Sequence, residues 1–314
     1  MNIDLSPEAV EYGRTARRAL DAAGGDELAP AGAGEADGGD VAKVLADLGA
    51  WDLDPRGSAE ELEAAAALCR SAGWWAVPHP VAERVARPRD IGADALVVVA
   101  GGGSAGAIAQ AVAGLALQWT AVDLGGRRSR ATPRPETAPV GKPGVAVPLD
   151  LAPLDAPLDD GAGDVALGLV LPCWTLLGLL DRAIDLTADY VRARHQFGQP
   201  LSSFQGVQFQ LTDAEVERLG VEELAKHALW SVATGRPDAV ADALALRLAA
   251  VEAAEVVFRI THQLHGAIGF CDEATLSWLS RASQPLRRLP LGPSATRAAL
   301  TDQLGRHGLA GLFS

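Results

Sequence analysis

Two stretches of this sequence set chemistry-bearing residues at telling spacings. Gly101, Gly103 and Gly106 follow the apolar run Ala95-Leu96-Val97-Val98-Val99-Ala100, and Asp123 lies about twenty residues further on. Glycines so placed would let backbone amides approach a pyrophosphate, and the acid would hold a ribose hydroxyl. The competing reading is a plain loop. With 34 glycines in 314 residues such spacing arises easily by chance, and no repeated strand–helix–strand units follow. The second stretch is Arg194-His195-Gln196-Phe197-Gly198-Gln199-Pro200-Leu201, followed by Phe204-Gln205. Arg194 ends a long apolar-periodic segment, where a cation suits the negative end of the helix dipole. Gly198 and Pro200 then break the chain. On spacing alone Arg194 reads as a terminal charge and Phe197 as a core plug.

The elements that must position these residues fall into three runs. Residues 1–90 read as helices. Ser6-Pro7-Glu8 supplies an N-cap and a first-position proline, and a Ser58-led segment carries Leu62, Ala65, Ala66 and Cys69 at helical spacing. Leu45, Leu48 and Trp51 form a further apolar set, and Ala29 to Gly39 reads as a mobile linker. Residues 91–162 read as a short β region, with strands over 95–100, 117–123 and 145–149 between Gly- and Pro-rich loops. Residues 163–314 are helical again. Leu169, Cys173, Leu176, Leu180 and Ile184 share one stripe, and a second helix after Ser203 would turn Val207, Leu211, Ala214, Leu219 and Leu224 inward. A third follows Pro237 with Val240, Leu244, Val251, Val256, Ile260 and Leu264, and shorter helices cover 273–283 and 293–306. The fold class is therefore mainly α with a small middle β region, ending in an up-and-down bundle.

Composition narrows the function classes. The chain is 48% hydrophobic and 21% charged, as in soluble globular proteins. A net charge of -13 offers no cationic footprint for nucleic acid. The short basic run Arg127-Arg128-Ser129-Arg130 reads as a solvated loop. Cys69, Cys173 and Cys271 are too widely spaced for a disulfide framework or a metal site and read as buried thiols. The start Met1-Asn2-Ile3-Asp4 has no basic or apolar leader, and Ala107 to Leu117 is too short to cross a bilayer, so a cytoplasmic protein without a membrane span is expected.

Residues 183–201 resemble the flavin-dependent acyl-CoA dehydrogenases, and so does Gln263-Leu264-His265-Gly266-Ala267-Ile268-Gly269-Phe270, which is similar to that family's Q-x-x-G-G-x-G-[FY]. The resemblance covers residues 165–310 well, the N-terminal helices loosely and the middle region poorly. It implies an N-terminal helical domain, a middle β domain, a C-terminal four-helix bundle, and FAD lying across a subunit interface. By motif position, Arg194, Gln196 and Phe197 would meet the adenine–pyrophosphate part of an FAD held mainly by a neighbouring subunit, and Gln263 and Gly266 would line its path. A guanidinium fork suits pyrophosphate oxygens, and a glycine turn lets backbone approach closely. Ala267 replaces the family's second glycine.

The family's reaction needs a carboxylate to take the α-proton of an acyl thioester. The position implied for it falls at or beside Pro290, and the position used by other members falls near Gly168; neither is acidic. Asp164 and Asp181 lie a helical turn or more away, and Asp272 and Glu273 read as surface residues. No catalytic residue is assigned. Leu289-Pro290-Leu291-Gly292-Pro293-Ser294 is similar to the L-x-G-G-P-S segment of a degenerate subunit in heterotetrameric steroid-type enzymes. The resemblance thus implies a non-catalytic subunit sharing FAD with a full-length acyl-CoA dehydrogenase partner in an α2β2 assembly, acting on a bulky acyl-CoA. Three other readings stay open: a self-sufficient enzyme with Asp164 or Asp181 as base, a structural paralogue without flavin, and a nucleotide-binding protein using Gly101 to Gly106.

Overall fold

Two serines start the N-terminal helices. The Ser6 hydroxyl accepts from the Ala9 amide at 3.3 Å and opens α1 (Pro7–Ala22). That of Ser58 accepts from the Glu61 amide at 3.2 Å and opens α4 (Ala59–Trp74). Each satisfies a backbone donor that the first helical turn leaves free. Between them lie two short helices, α2 (Leu28–Ala31) and α3 (Gly39–Asp47), and α5 (Val81–Val85) follows. The computed structural model describes residues 3–31, 39–100, 108–110, 117–134, 146–154 and 161–308. Ala29, expected in a linker, is buried in α2. Most of that linker lies outside the described residues, as do Gly101, Gly103 and Gly106.

The middle region forms a sheet of order β1-β3-β4-β5-β2, from β1 (Ala95–Val99), β2 (Ile108–Gln110), β3 (Trp119–Asp123), β4 (Arg128–Pro133) and β5 (Ala146–Pro153). β1 and β3 are parallel, and every other pairing is antiparallel. That is not a doubly wound sheet. β1 reads as an unbroken apolar run because both its faces are covered. Leu96 and Val98 join the main core, while Ala95 and Val99 pack with Trp119, Ala121, Ala131 and Leu149.

The basic run is solvated only in part: Arg127 and Arg130 are exposed, but Arg128 is not. Arg128 begins β4 and is buried, its Nε donating to Asp164 Oδ2 at 2.6 Å and its Nη1 to Asp90 at 2.7 Å. A charge run looks solvated in sequence when its counter-ions lie dozens of residues away.

The C-terminal helices are α6 (Gly161–Ala193), α7 (Gln205–Ala233), α8 (Ala239–His265), α9 (Thr275–Arg288) and α10 (Pro293–His307). α6, α7 and α8 pack on one another, α9 on α6 and α8, and α10 on α8, which is the expected bundle. α6 is long and apolar enough to cross a membrane, yet 78% of its most apolar window is buried inside the fold. Its Leu169, Cys173, Leu176 and Leu180 are buried as the stripe requires. α7 departs from expectation. Leu219 and Leu224 are exposed, and the buried stripe runs through Ala214, Arg218, Val221, Ala225 and Ala228. Small residues and an ion-paired arginine face inward there, which an apolar count does not register. Cys69 and Cys173 are buried, and burial pushes both thiols up, that of Cys173 to about 11. Cys271, expected to be buried, is exposed after the turn that ends the second motif.

One core joins the N-terminal helices to the bundle. A Cβ on Gly73 would sit 1.9 Å from the Thr175 carbonyl oxygen, and one on Gly178 would sit 2.0 Å from that of Arg70. α4 and α6 can cross this closely only because both positions are glycine.

Candidate functional site

The first motif forms a tight hairpin directly beyond α6. β6 (His195–Gln196) pairs antiparallel with β7 (Gln199–Pro200), and the Leu201 amide donates to the Arg194 carbonyl at 2.8 Å to close it. Its two turn residues have left-handed backbone, φ 54° at Phe197 and 82° at Gly198, as a two-residue type I′ turn demands. Asn, Asp or Gly normally fill both places, so a phenylalanine there is strained. Phe197 is also 89% exposed, touching Phe204 edge-to-face at 6.2 Å. It is not a core plug. Arg194 and Gln196 are exposed as well, and among the described residues no carboxylate reaches the Arg194 guanidinium within ion-pair distance.

The second motif caps α8. Gly266 ends the helix at φ 66° with nothing near its Cβ position, so its backbone is open to approach. At Gly269 a Cβ would meet His265 at 2.9 Å, so this glycine serves packing. His265 stacks on Tyr190 of α6, while His262 stacks on Phe270. Burial is the main cause of the lowered affinity of both imidazoles for protons, so the neutral forms are favoured.

Gln263 and Gly266 line a cleft of about 810 Å³ with Phe258, His262, Phe270, Arg259, Arg287 and Arg288. Arg194, Gln196 and Phe197 do not line it; their hairpin follows Tyr190, which stacks on His265, the residue before Gly266. The structure therefore brings both motifs to one end of the bundle. The sequence reading missed the three arginines. Arg259 sits four residues before Gln263, on the same face of α8, and that period was the available signal. The Arg287-Arg288 pair lay in plain view, but that stretch was searched for a carboxylate.

The two positions at which a base was sought also converge. Gly168 and Pro290 line one small cavity of about 40 Å³ with Leu96, Val98, Pro172, Arg247 and Glu83. This has room for about one water, not for a thioester. A Cβ at Gly168 would meet Val98 at 2.5 Å. The buried Arg247 holds the loop in place, donating to the Leu286 carbonyl at 3.2 Å and the Leu291 carbonyl at 2.7 Å. Glu83, from α5, is the carboxylate lining this cavity, and burial pushes it up to about 7. The two alternative bases are engaged elsewhere. Asp164 is fully buried between Arg128 and Arg56. Asp181 binds Arg70 through both oxygens, at 2.6 and 3.0 Å, and Arg218 at 3.2 Å. Asp272 is on the surface, paired with Arg281 at 2.5 Å. Asp123, the acid of the glycine-rich pattern, accepts from the Gly125 and Arg127 amides in the β3–β4 turn.

Residues 170–300 match the family described as acyl-CoA dehydrogenase, C-terminal domain. Among curated relatives, acyl-CoA dehydrogenase FadE28 of Mycobacterium tuberculosis is 36% identical over 117 residues, 37% of this chain and 34% of the relative. The 3-sulfinopropanoyl-CoA desulfinase of Paraburkholderia xenovorans is 36% identical over 108 residues, 33% and 26%. The chain thus spans about a third or less of these relatives' length. Similarity of fold extends further. A chain of the ChsE4-ChsE5 complex from M. tuberculosis superposes with TM-score 0.76 at 19% identity, covering 97% of this chain and 99% of that one. A chain of the Tcur3481-Tcur3483 steroid ACAD G363A variant gives 0.74 at 21%, covering 95% and 98%. Residues 170–300 are thus similar to the C-terminal domain of the acyl-CoA dehydrogenases, and the chain as a whole shares the fold of these solved structures.

Proposed function

We propose that this chain is a non-catalytic subunit of a heteromeric, FAD-dependent acyl-CoA dehydrogenase, lending cofactor-binding residues to a full-length partner. The observation that carries this reading is Phe197, a strained and almost fully exposed aromatic at the tip of the first motif. Strain and exposure both oppose the stability of the chain by itself, so the residue is kept for something it meets outside. Ile268 and Phe270, at the same end, are also exposed, as are Phe209 and Val216 on α7. Together they offer apolar surface for a partner to cover.

The residues present fit a flavin nucleotide. Arg194 offers a guanidinium with no carboxylate partner among the described residues, Gly266 an open backbone and Gln263 a side-chain amide. Flavin, when bound, supplies acceptance of the β-hydride of an acyl thioester. This chain's residues bind and orient it, and none withdraws the α-proton: the cavity where a base would act is closed by Val98, Pro172 and Pro290. The partner supplies that base and most of the acyl pocket. One structural neighbour is described as the ChsE4-ChsE5 complex and another as the Tcur3481-Tcur3483 steroid ACAD, which supports an unlike partner and a bulky acyl group. The assembly we infer is α2β2 and cytoplasmic.

Glu83 is the one observation favouring a self-sufficient enzyme, since it faces both expected base positions; the size of that cavity counts against it. Absorption spectra of the chain alone and co-expressed with its partner test the choice. A colourless chain and a yellow complex that Arg194→Ala bleaches support the proposal. A yellow chain that oxidises acyl-CoA, and stops doing so as Glu83→Gln, overturns it.

A further inference from the structure

A cavity of about 390 Å³ lies between α1 and α4. Small residues make room for it. Gly13 of α1 and Ala67 of α4 meet in its lining, and a Cβ on Gly13 would sit 3.0 Å from that of Ala67. Leu5 and Val10 complete an apolar floor, and Val10 is exposed. The Ser71 hydroxyl, also in the lining, is already used: it lies 2.8 Å from the Gly13 carbonyl and 2.9 Å from that of Ala67, and donates between the two helices.

The rest of the lining is four arginines, Arg14, Arg17, Arg18 and Arg70, with no carboxylate among them. In a chain of net charge -13 that runs against the trend. Arg70 is committed to Asp181 and Glu222. Arg14 and Arg18 share Glu11 at 3.5 and 3.0 Å, but all three side chains are largely exposed, so these pairs are weak and readily exchanged. Arg17 differs from the others. It is half-buried, its guanidinium lies 4.0 Å over the Trp74 ring, and it makes no ion pair or side-chain hydrogen bond among the described residues. Burial is the main cause that weakens its hold on its proton, and Asp181 and Asp185 act on it only from beyond ion-pair distance. Arg182 also stands over the Trp74 ring, at 5.3 Å, and it is paired with Asp26 and Asp185. Of these two guanidiniums over one ring, the one that lines the cavity is the one without a counter-ion.

An apolar floor beside an uncommitted guanidinium selects a molecule with an anionic head and an alkyl chain. A bare inorganic anion would leave the floor unused, and a nucleotide base would find no aromatic ring in the lining. A guanidinium fork matches a carboxylate, and a straight chain of about ten carbons is of the size such a cavity holds. We propose that this cavity binds an alkyl carboxylate, its head on Arg17 with Arg14 and Arg18 at the rim, and its chain over Leu5, Val10, Gly13 and Ala67. The site shares no residue with either sequence motif or with the large cleft, and it does not rest on the flavin reading.

Calorimetric titration of decanoate, below its micelle concentration and at neutral pH, into the full chain tests this. Decanol and acetate probe the chain and the head alone. Saturable decanoate binding is expected, at least tenfold tighter than that of either probe and weakened by salt. Arg17→Gln should weaken it at least tenfold, Arg17→Lys less, and Arg297→Ala, on α10, not at all. Val10→Asp sets a carboxylate on the floor at an exposed position and should also weaken it at least tenfold, which covers the case of an unstable Arg17→Gln. Binding should change the tryptophan fluorescence through the ring beneath Arg17, and Trp74→Phe should remove that change while calorimetric binding remains. No saturable binding, or decanol or acetate binding as tightly as decanoate, overturns the site. So does decanoate binding that is unchanged in Arg17→Gln or Val10→Asp, or a fluorescence response that survives Trp74→Phe.

Discussion

Tyr190 and His265 stack with ring centroids 4.4 Å apart and planes 15° from parallel, and the Tyr190 hydroxyl donates to the His265 carbonyl at 3.4 Å. Tyr190 precedes Arg194 by one helical turn, and His265 precedes Gly266 directly. The stack therefore couples the two motifs. Tyr190→Ala should cost about 1–3 kcal/mol of stability and lower the flavin content of the purified complex, whereas Tyr190→Phe should retain both. Thermal melts and the ratio of flavin to protein absorbance check this; equal flavin in Tyr190→Ala would show the motifs to be independent.

His79 and Glu83 line one small cavity and oppose each other in their response to pH. Burial, and next Arg84, lowers His79 to about 4 from 6.5; the Arg84 guanidinium donates to its Nε2 at 2.8 Å, which needs the neutral ring. The unfolded chain binds more protons at this site between those values, so its contribution to stability falls as pH drops through the window. Glu83, raised by burial to about 7 from 4.5, is protonated in the fold first, so its contribution falls as pH rises through 4.5 to 7. Each effect amounts to about 3 kcal/mol at most, and over pH 5–6.5 they nearly cancel. Glu83→Gln should leave a protein less stable at pH 5 than at pH 6.5, and His79→Gln the reverse, in urea melts at both values. Parallel slopes in the two variants would refute the assignment.

Asp164 and Asp181 each hold buried or half-buried arginines, and on the proposed reading neither exchanges protons with a substrate. Asp164→Asn leaves the buried Arg128 with the exposed Asp90 as its remaining counter-ion and should cost about 3–5 kcal/mol. Asp181→Asn loosens Arg70 and Arg218 and should cost less, since Glu222 still holds both arginines. Burial raises Glu222, but the two arginines outweigh that and bring it to about 2. Acyl-CoA turnover by the assembled complex, per folded protein, should be unchanged in both variants. A turnover lost in either without loss of folded protein would make it a base.

Gly178→Ala should cost about 3 kcal/mol, because the new methyl meets backbone rather than a side chain that can swing away. Gly220→Ala, on the exposed face of α7 with nothing nearby, should stabilise by about 0.5–1 kcal/mol. Urea unfolding of the pair separates the effect of close packing from that of helix propensity.

Much of this was legible in the chain. Capping serines and apolar stripes read correctly at Ser6, Ser58 and Leu169 to Leu180, because these signals are local. Arg128 and Leu219 misread for one reason: what covers a side chain is set by partners distant in sequence, and neither Asp164 nor the alanine-lined inner face of α7 can be inferred from neighbours. At the site, motif resemblance found the hairpin and the α8 cap. It did not find Arg259, Arg287 and Arg288, which meet in one cleft only once α8 and α9 have packed. Glu83 was out of reach too, since it meets Gly168 and Pro290 only once α5, α6 and the α9–α10 loop have packed.

The glycine-lined crossing of α4 and α6 bears on how the molecule opens. Helices whose backbones touch at Gly73 and Gly178 share no layer of side chains that could part gradually. Separating them exposes Leu62, Leu68, Trp174 and Leu176 together, all part of one core. Amide hydrogens of α4 should therefore exchange with solvent at the same slow, global rate as those of α6, and those of the exposed hairpin carrying Phe197 should exchange faster. The hairpin would then be a segment free to adapt to a visiting surface, set between two helices, α6 and α7, that belong to the same rigid core.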